Sequence, residues 1–163
     1  MTRKCFYSFH YEPDNWRVSQ VRNIGSLEDN KPVGDNAWEE VKKGGDQAIK
    51  DWILNQLKGR SCAIVLAGKD TAGRKWISYE ISEAWNKGMG VVVVYIHNLK
   101  NSKGMQTTKG VNPLDFITMN NSKLSAIAKS YDPPFTESSK VYEYITNNME
   151  LWVEEAIKIR GNY

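Results

Sequence analysis

A single carboxylate lies on the apolar face of a predicted helix. Residues 73–87 have the spacing of an amphipathic helix, and Gly88 ends it. At about 100° per residue, Glu80 falls about 40° and Ile77 about 100° from Trp76, so Glu80 lies between two apolar side chains. A carboxylate that faces a core must find a partner, take up a proton or face a pocket. Glu80 is therefore either a structural carboxylate, neutralised by an arginine or by backbone N–H groups, or a functional one.

The elements that position Glu80 are buried strands alternating with amphipathic helices. Strands are predicted over residues 5–9, 61–67 and 91–97, with short ones within 26–32 and near 116–119. Helices are predicted over residues 13–24, 46–57, 73–87 and 138–159. Continuous apolar strands in this alternation indicate a parallel sheet covered on both faces. We predict one α/β domain over residues 1–163, a flavodoxin-like three-layer sandwich with a small central parallel sheet.

The carboxyl ends of the strands are the expected ligand-binding edge. Ligands of such folds bind outside these ends, which points to residues 8–11, to 68–74 and to the chain from 97 onward. The helix that carries Glu80 begins at this edge, and Glu80 lies about 10 Å from its start at about 1.5 Å per residue. The long polar loop 98–112 leaves the same edge, and such loops are often functional. The sequence therefore predicts that Glu80 lines the floor of a cleft.

Composition excludes several other classes of function. A net charge of +3 with interspersed signs gives no argument for a nucleic-acid surface, and the longest apolar run, 91–96, is too short to span a membrane. Cys5 and Cys62 lie in apolar runs and are expected to be free thiols in a reducing compartment. Dinucleotide, P-loop and nucleophile-elbow fingerprints are absent, as are paired acidic residues after the first strand that a phosphoreceiver needs. We expect a soluble cytoplasmic protein with no metal site and no bound cofactor.

Five short sequence blocks lie between residues 6 and 116. They are Phe6-Tyr7-Ser8-Phe9-His10-Tyr11; Arg17-Val18 with Val21-Arg22-Asn23; Trp38-Glu39 with Lys42-Lys43, Asp46 and Ala48; Arg74-Lys75-Trp76-Ile77-Ser78-Tyr79-Glu80-Ile81; and Lys109-Gly110 with Asn112-Pro113 and Asp115-Phe116. Together they resemble the ThsB-type TIR-like family of the Thoeris antiphage system. The block from Trp76 to Ile81 is the most specific. The resemblance implies a TIR-like fold, and the family's catalytic glutamate maps onto Glu80.

The resemblance also implies an activity. It implies cleavage of NAD+ at the nicotinamide–ribose bond and formation of a cyclic ADP-ribose isomer, with NAD+ as substrate rather than cofactor. This product would be a diffusible messenger that activates a separate effector and leads to abortive infection. A phage-derived trigger and a homo-oligomer are compatible with this interpretation, whereas nucleic acid and membranes are not expected partners. The alternative is a non-catalytic TIR-type interaction module, in which Glu80 is structural and the surface helices bind partners.

The chemistry of this reaction suggests roles for the side chains near the predicted edge. Nicotinamide leaves NAD+ as a neutral molecule, so one carboxylate that stabilises an oxocarbenium-like transition state is sufficient, without a general acid. Phe9, Trp38 and Trp76 are candidates for the walls around the nicotinamide or the adenine. Arg17 is a candidate partner of the pyrophosphate, because a guanidinium pairs bidentately with phosphate. His10, at the end of the first strand, is the remaining candidate substrate contact.

Overall fold

A computed structural model describes residues 3–22, 28–29, 41, 43–119 and 121–163. Among these residues, five parallel strands form one sheet: β1 (Lys4–Phe9), β2 (Glu28–Asp29), β3 (Cys62–Ala67), β4 (Gly90–Tyr95) and β7 (Ser130–Tyr131). Their order in the sheet is β2-β1-β3-β4-β7. An antiparallel pair outside this sheet consists of β5 (Thr118–Met119) and β6 (Ser122–Lys123). The helices are α1 (Tyr11–Arg22), α2 (Gly45–Leu57), α3 (Lys75–Asn86) and α4 (Ser138–Arg160), with 3-10 turns at Pro113–Phe116 and Leu124–Ala126.

Each face of the sheet carries its own core. Successive residues of a strand point to opposite faces, and β3 and β4 are buried throughout because helices cover both sides. The face that includes Phe6 and Val65 packs against α2 and α3. The face that includes Tyr7 and Leu66 packs against α1 and α4. The predicted α/β three-layer sandwich is thus confirmed, with α4 closing one side of it.

The elements follow the sequence pattern closely, except for the start of α1 and the two short strands β5 and β7. Helix α1 begins two residues before the predicted start, at Tyr11, because the His10 carbonyl accepts the Asp14 N–H at 3.2 Å. Its predicted end near Gly25 lies outside the described residues. The short strand predicted within 26–32 is β2. The strand predicted near 116–119 is β5, which pairs with β6 in a hairpin and does not join the main sheet. The strand that joins the main sheet beside β4 is β7, which has only two residues, too few to show the alternating pattern of a strand in the sequence.

The two cysteines are neighbours in the sheet interior. Cys5 of β1 is directly opposite Cys62 of β3, and both are completely buried thiols that form no disulfide with each other. Burial raises the pKa of the Cys62 thiol well above its ordinary value. Both residues therefore behave as small core hydrophobes, as expected from the apolar runs around them.

The described part of the chain contains neither a membrane-spanning helix nor a metal-binding cluster. None of its helices is long and apolar enough to cross a lipid bilayer. Its His, Cys, Asp and Glu side chains form no group of three or more that could hold a metal ion.

Candidate active site

Glu80 lies against the last residues of β1, where it contacts Ser8. Its helix, α3, is anchored on the core by Ile77 and Ile81, which are 6% and 0% exposed. The Ser8 hydroxyl donates a hydrogen bond to Oε2 of Glu80. Ser8 is buried and is the penultimate residue of β1, so the pair lies close to the carboxyl end of the strand. The helical periodicity thus located Glu80 correctly, between apolar neighbours and beside the strand ends.

The surroundings of Glu80 favour its protonated form. Part of the side chain is open to solvent, but the carboxyl group is deeply surrounded by protein atoms. This burial raises the pKa of Glu80 to about 8, against the opposing effect of the Ser8 hydrogen bond, which favours the charged form. Among the described residues, Ser8 is the only hydrogen-bond partner of the carboxyl group, and no lysine or arginine forms an ion pair with it. Neither the arginine nor the backbone N–H groups that would neutralise a structural Glu80 are therefore found among the described residues.

Phe9 and His10 follow Ser8 along the chain. Phe9 is partly exposed and packs on the α1 and α4 side of the sheet, opposite the side of Ser8 and Glu80. His10 is half-buried at the carboxyl end of β1, and its carbonyl accepts the first hydrogen bond of α1. The structure therefore brings His10 to the predicted edge but does not bring the Phe9 ring to Glu80.

Arg17 is buried in the protein rather than open to a ligand. Its side chain is 4% exposed and forms an ion pair with Asp14, Nη1 lying 3.1 Å from Oδ1. The guanidinium also donates to backbone carbonyls: Nε to Leu99 at 2.8 Å, Nη1 to Pro13 at 3.1 Å and Nη2 to Met105 at 2.9 Å. A pyrophosphate contact would require some of these buried bonds to break, so the geometry gives Arg17 a different task.

Trp76 lies one helical turn before Glu80 on α3 and is partly buried. Its ring meets Tyr79 edge to face with centroids 5.7 Å apart, and the Lys75 ammonium lies 4.8 Å from its centroid. An open groove of about 440 Å³ runs along these side chains to Phe116, which is 58% exposed. The groove thus offers aromatic surface on the helix that carries Glu80, and the role of Trp76 as a stacking wall stays a prediction. Trp38, the other predicted tryptophan wall, lies outside the described residues.

Sequence reasoning missed Ser8 as a member of the site. The signal was present, because Ser8 is the single small hydroxyl residue in the aromatic strand Phe6–Phe9. Strand alternation also puts Ser8 on the same face as Phe6, the face that α3 covers. A polar side chain on that face needs a hydrogen-bond partner, and Glu80 provides it.

Comparison with known proteins identifies the family. Residues 6–101, more than half of the chain, match the family model described as "Thoeris protein ThsB, TIR-like domain". The chain belongs to this ThsB TIR-like family. Ser8, Trp76 and Glu80 all lie within the matched residues. The resemblance noted in the sequence blocks is thereby confirmed.

A curated relative agrees with the family model. Over 122 residues the chain is 34% identical to a Bacillus cereus (strain MSX-D12) protein named "Putative cyclic ADP-D-ribose synthase ThsB1". The alignment covers 72% of this chain and 64% of the relative. The chain therefore spans slightly less than two thirds of the length of the curated ThsB relative that it matches.

Proposed function

We propose that this protein cleaves NAD+ at the nicotinamide–ribose bond and converts the ADP-ribosyl group into a cyclic isomer, as a messenger in Thoeris antiphage defence. The observation that carries the proposal is the Ser8–Glu80 pair at the carboxyl end of the sheet of a ThsB TIR-like protein. The printed name of the curated relative, a cyclic ADP-D-ribose synthase, supports this class of product.

Substrate binding changes the charge state of Glu80 in this proposal. In the free protein, burial keeps the carboxyl group largely protonated near neutral pH, with a pKa of about 8. The nicotinamide ring of NAD+ is a cation, and a nearby positive charge lowers the pKa of a carboxyl group. NAD+ bound with its nicotinamide ribose at Glu80 thus generates the carboxylate that the reaction uses. Because Ser8 holds Oε2, Oε1 is the oxygen that meets the ribose.

The cleavage step needs charge stabilisation more than proton transfer. The bond between ribose C1′ and the nicotinamide nitrogen breaks, and its electron pair leaves with neutral nicotinamide. The ribose becomes oxocarbenium-like, and the Glu80 carboxylate stabilises that positive charge in a water-poor site. A nucleophilic atom of the same ADP-ribose then bonds to C1′ and loses a proton. A carboxylate whose conjugate acid has a pKa near the ambient pH is suited to accept that proton.

Other side chains complete the proposed site. Trp76 forms part of a wall for the nicotinamide or the adenine, and Trp38 a second part. His10, at the end of β1, contacts the substrate from the edge of the sheet. Phe9, whose ring packs on the other face, contributes only through β1. The reaction uses NAD+ as substrate and needs no bound cofactor.

The biological setting follows from the same proposal. The protein acts in the cytoplasm, where NAD+ is plentiful and the buried Cys5 and Cys62 remain thiols. Its nucleotide product diffuses to a separate effector, so the two proteins need not touch. A phage-derived trigger and self-association are the proposed means of switching the enzyme on.

Nucleotide profiling of infected cells tests this function. Cells that carry the protein and its effector are expected to lose NAD+ and gain a cyclic ADP-ribose isomer after infection. Cells that carry Glu80→Gln are expected to keep their NAD+ and to lose protection. If the wild type protects cells while NAD+ stays unchanged and no new isomer appears, the protein is an interaction module instead.

A further inference from the structure

The segment 98–112, which we call the strap, crosses the carboxyl-end edge of the sheet. Leu99, near its start, is buried in the core on the α1 and α4 side. Leu114, just after its end, is buried in the core on the α2 and α3 side. Between them, the Thr107 N–H donates to the His97 carbonyl at 2.9 Å, which ties the middle of the strap to the end of β4. The strap therefore passes over the strand ends from one face to the other.

Arg17 fastens the first half of the strap to α1. Two of its donors reach strap carbonyls, Nε to Leu99 at 2.8 Å and Nη2 to Met105 at 2.9 Å. Its third donor is held by Asp14, a buried carboxylate of the same helix. Charge-assisted bonds of this kind are stronger than neutral ones, and here burial shields them from solvent. The guanidinium is thus a latch between α1 and the strap.

Because Gly110 has no side chain, the second half of the strap packs directly against the turn after β3. A Cβ at this position would lie 2.6 Å from the Gly68 carbonyl oxygen and closer still to that of Lys69, so only glycine fits. The Asp14 carboxylate also packs closely against Gly68: a Cβ on Gly68 would lie 2.6 Å from Oδ1 of Asp14. The latch and the strap therefore meet at Gly68, on the expected ligand-binding edge.

The part of the strap that packs on Gly68 lies close to the Ser8–Glu80 pair, measured along the strand direction. Ser8, the partner of Glu80, is opposite Val65 of β3, and Gly68, the first residue after β3, comes three residues later. Three residues of strand span about 10 Å. An NAD+ molecule is longer than this, so one bound with its nicotinamide ribose at Glu80 and its pyrophosphate directed along the strands would extend to the strand ends that the strap covers.

We propose that the strap, held by Arg17, keeps water from the cleaved substrate and so decides between the cyclic and the linear product. This inference rests on the proposed function. After nicotinamide has left with its electron pair, C1′ bonds either to a nucleophilic atom of the same ADP-ribose or to the oxygen of water. The first route gives the cyclic isomer and a proton, and the second consumes one water and gives linear ADP-ribose and a proton. Arg17 is a positioning residue in this step, because it acts through the strap.

The experiment measures the ratio of linear to cyclic ADP-ribose formed from NAD+. Wild type, Arg17→Lys and Gly110→Ala are compared in extracts of infected cells, together with nicotinamide release. Arg60→Lys is the matched control, because Arg60 also donates to backbone carbonyls, those of Gln56 at 2.6 Å and Cys5 at 3.0 Å, but at the amino-end edge of the sheet. A ratio is independent of how much protein stays folded, so a purely structural defect does not change it.

Arg17→Lys is expected to raise the linear-to-cyclic ratio by about tenfold or more, the effect of losing one hydrogen bond to a charged group. Gly110→Ala is expected to raise the ratio as well, because its Cβ would push the strap off the turn after β3. The Arg60 control is expected to keep the wild-type ratio. Unchanged ratios in Arg17→Lys and Gly110→Ala, with nicotinamide released, would overturn the strap proposal and leave the proposed function intact. A wild type that releases no nicotinamide in protected cells would overturn the proposed function itself.

Discussion

Replacing Glu80 by glutamine is expected to lower activity strongly and to stabilise the protein at alkaline pH. The substitution keeps the shape of the side chain and an oxygen that accepts from the Ser8 hydroxyl. It removes a group that folding has placed among protein atoms without a described cationic partner. The site is thus one where catalysis and stability oppose each other.

The magnitude follows from the pKa of Glu80, which is about 8 in the folded protein against 4.5 as its ordinary value. Between these values the folded state holds a proton that the unfolded state has lost, so stability falls as pH rises. The stability linked to this proton is complete below the lower pKa and is lost as pH rises through the upper one. From roughly pH 5.5 to roughly pH 8.5 the loss is about 3 kcal/mol, at about 1.36 kcal/mol per pKa unit. For a chain of this size, about 3 kcal/mol corresponds to roughly 6–12 °C in Tm.

The assay compares melting temperatures of wild type and Glu80→Gln at both pH values. At the acidic value the variant is expected to melt only about 3–5 °C higher, because the folded wild type holds the proton there and only its unfolded state has begun to lose it. Between the acidic and the alkaline value this difference in melting temperature is expected to widen by about 6–12 °C. Other titrating groups cancel in the difference between the two proteins. Glu143→Gln, which changes an exposed carboxylate of α4, is the matched control and is expected to show no such pH-dependent gain.

The two readouts together decide the role of Glu80. Activity is expected to fall about 10²–10³-fold in the variant, as when one contact to a developing charge is lost. Equal melting differences at both pH values would refute the assigned burial of the carboxyl group. A variant that melts lower than wild type at acidic pH, yet keeps its activity, would make Glu80 a structural residue.

Three further predictions concern other parts of the chain. Ser8→Ala removes the hydrogen bond that favours the charged form of Glu80, so the rise of kcat/KM with pH is expected to shift to higher pH, and an unshifted profile would separate Ser8 from catalysis. Gly90→Ala puts a Cβ 2.7 Å from the Ile157 backbone nitrogen on α4, so we expect a loss of about 1–3 kcal/mol in chemical denaturation, and wild-type stability would mean that α4 packs differently. Thiol titration of freshly isolated, denatured protein is expected to find two free thiols, Cys5 and Cys62, and a disulfide would contradict their assignment.

The sequence predicted what depends on local periodicity. The phase of α3 put Glu80 in an apolar sector, and the continuous apolar runs of β3 and β4 indicated a sheet covered on both sides. These properties are set by residues a few positions apart, so the amino-acid order displays them directly.

Contacts between segments that are distant in the chain could not be predicted from the sequence. The bond from Ser8 to Glu80 joins residues 72 positions apart, and its formation depends on how α3 sits on β1. Arg17 was predicted to meet a phosphate, but its donors are used by the carbonyls of Leu99 and Met105, 82 and 88 positions away. The sequence does not show whether an arginine is buried or exposed; for Arg17 this depends on the path of the strap that covers it.

The most direct test of the account is nicotinamide release at the Glu80 carboxylate. NAD+ carrying a label in its nicotinamide ring is added to extracts of infected cells that express wild type, Glu80→Gln or Glu143→Gln at equal levels of folded protein. We predict one labelled nicotinamide for each NAD+ consumed by the wild type and by Glu143→Gln, and release that is about 10²–10³-fold slower for Glu80→Gln. Release by Glu80→Gln at the wild-type rate would contradict the assignment of the reaction to this carboxylate.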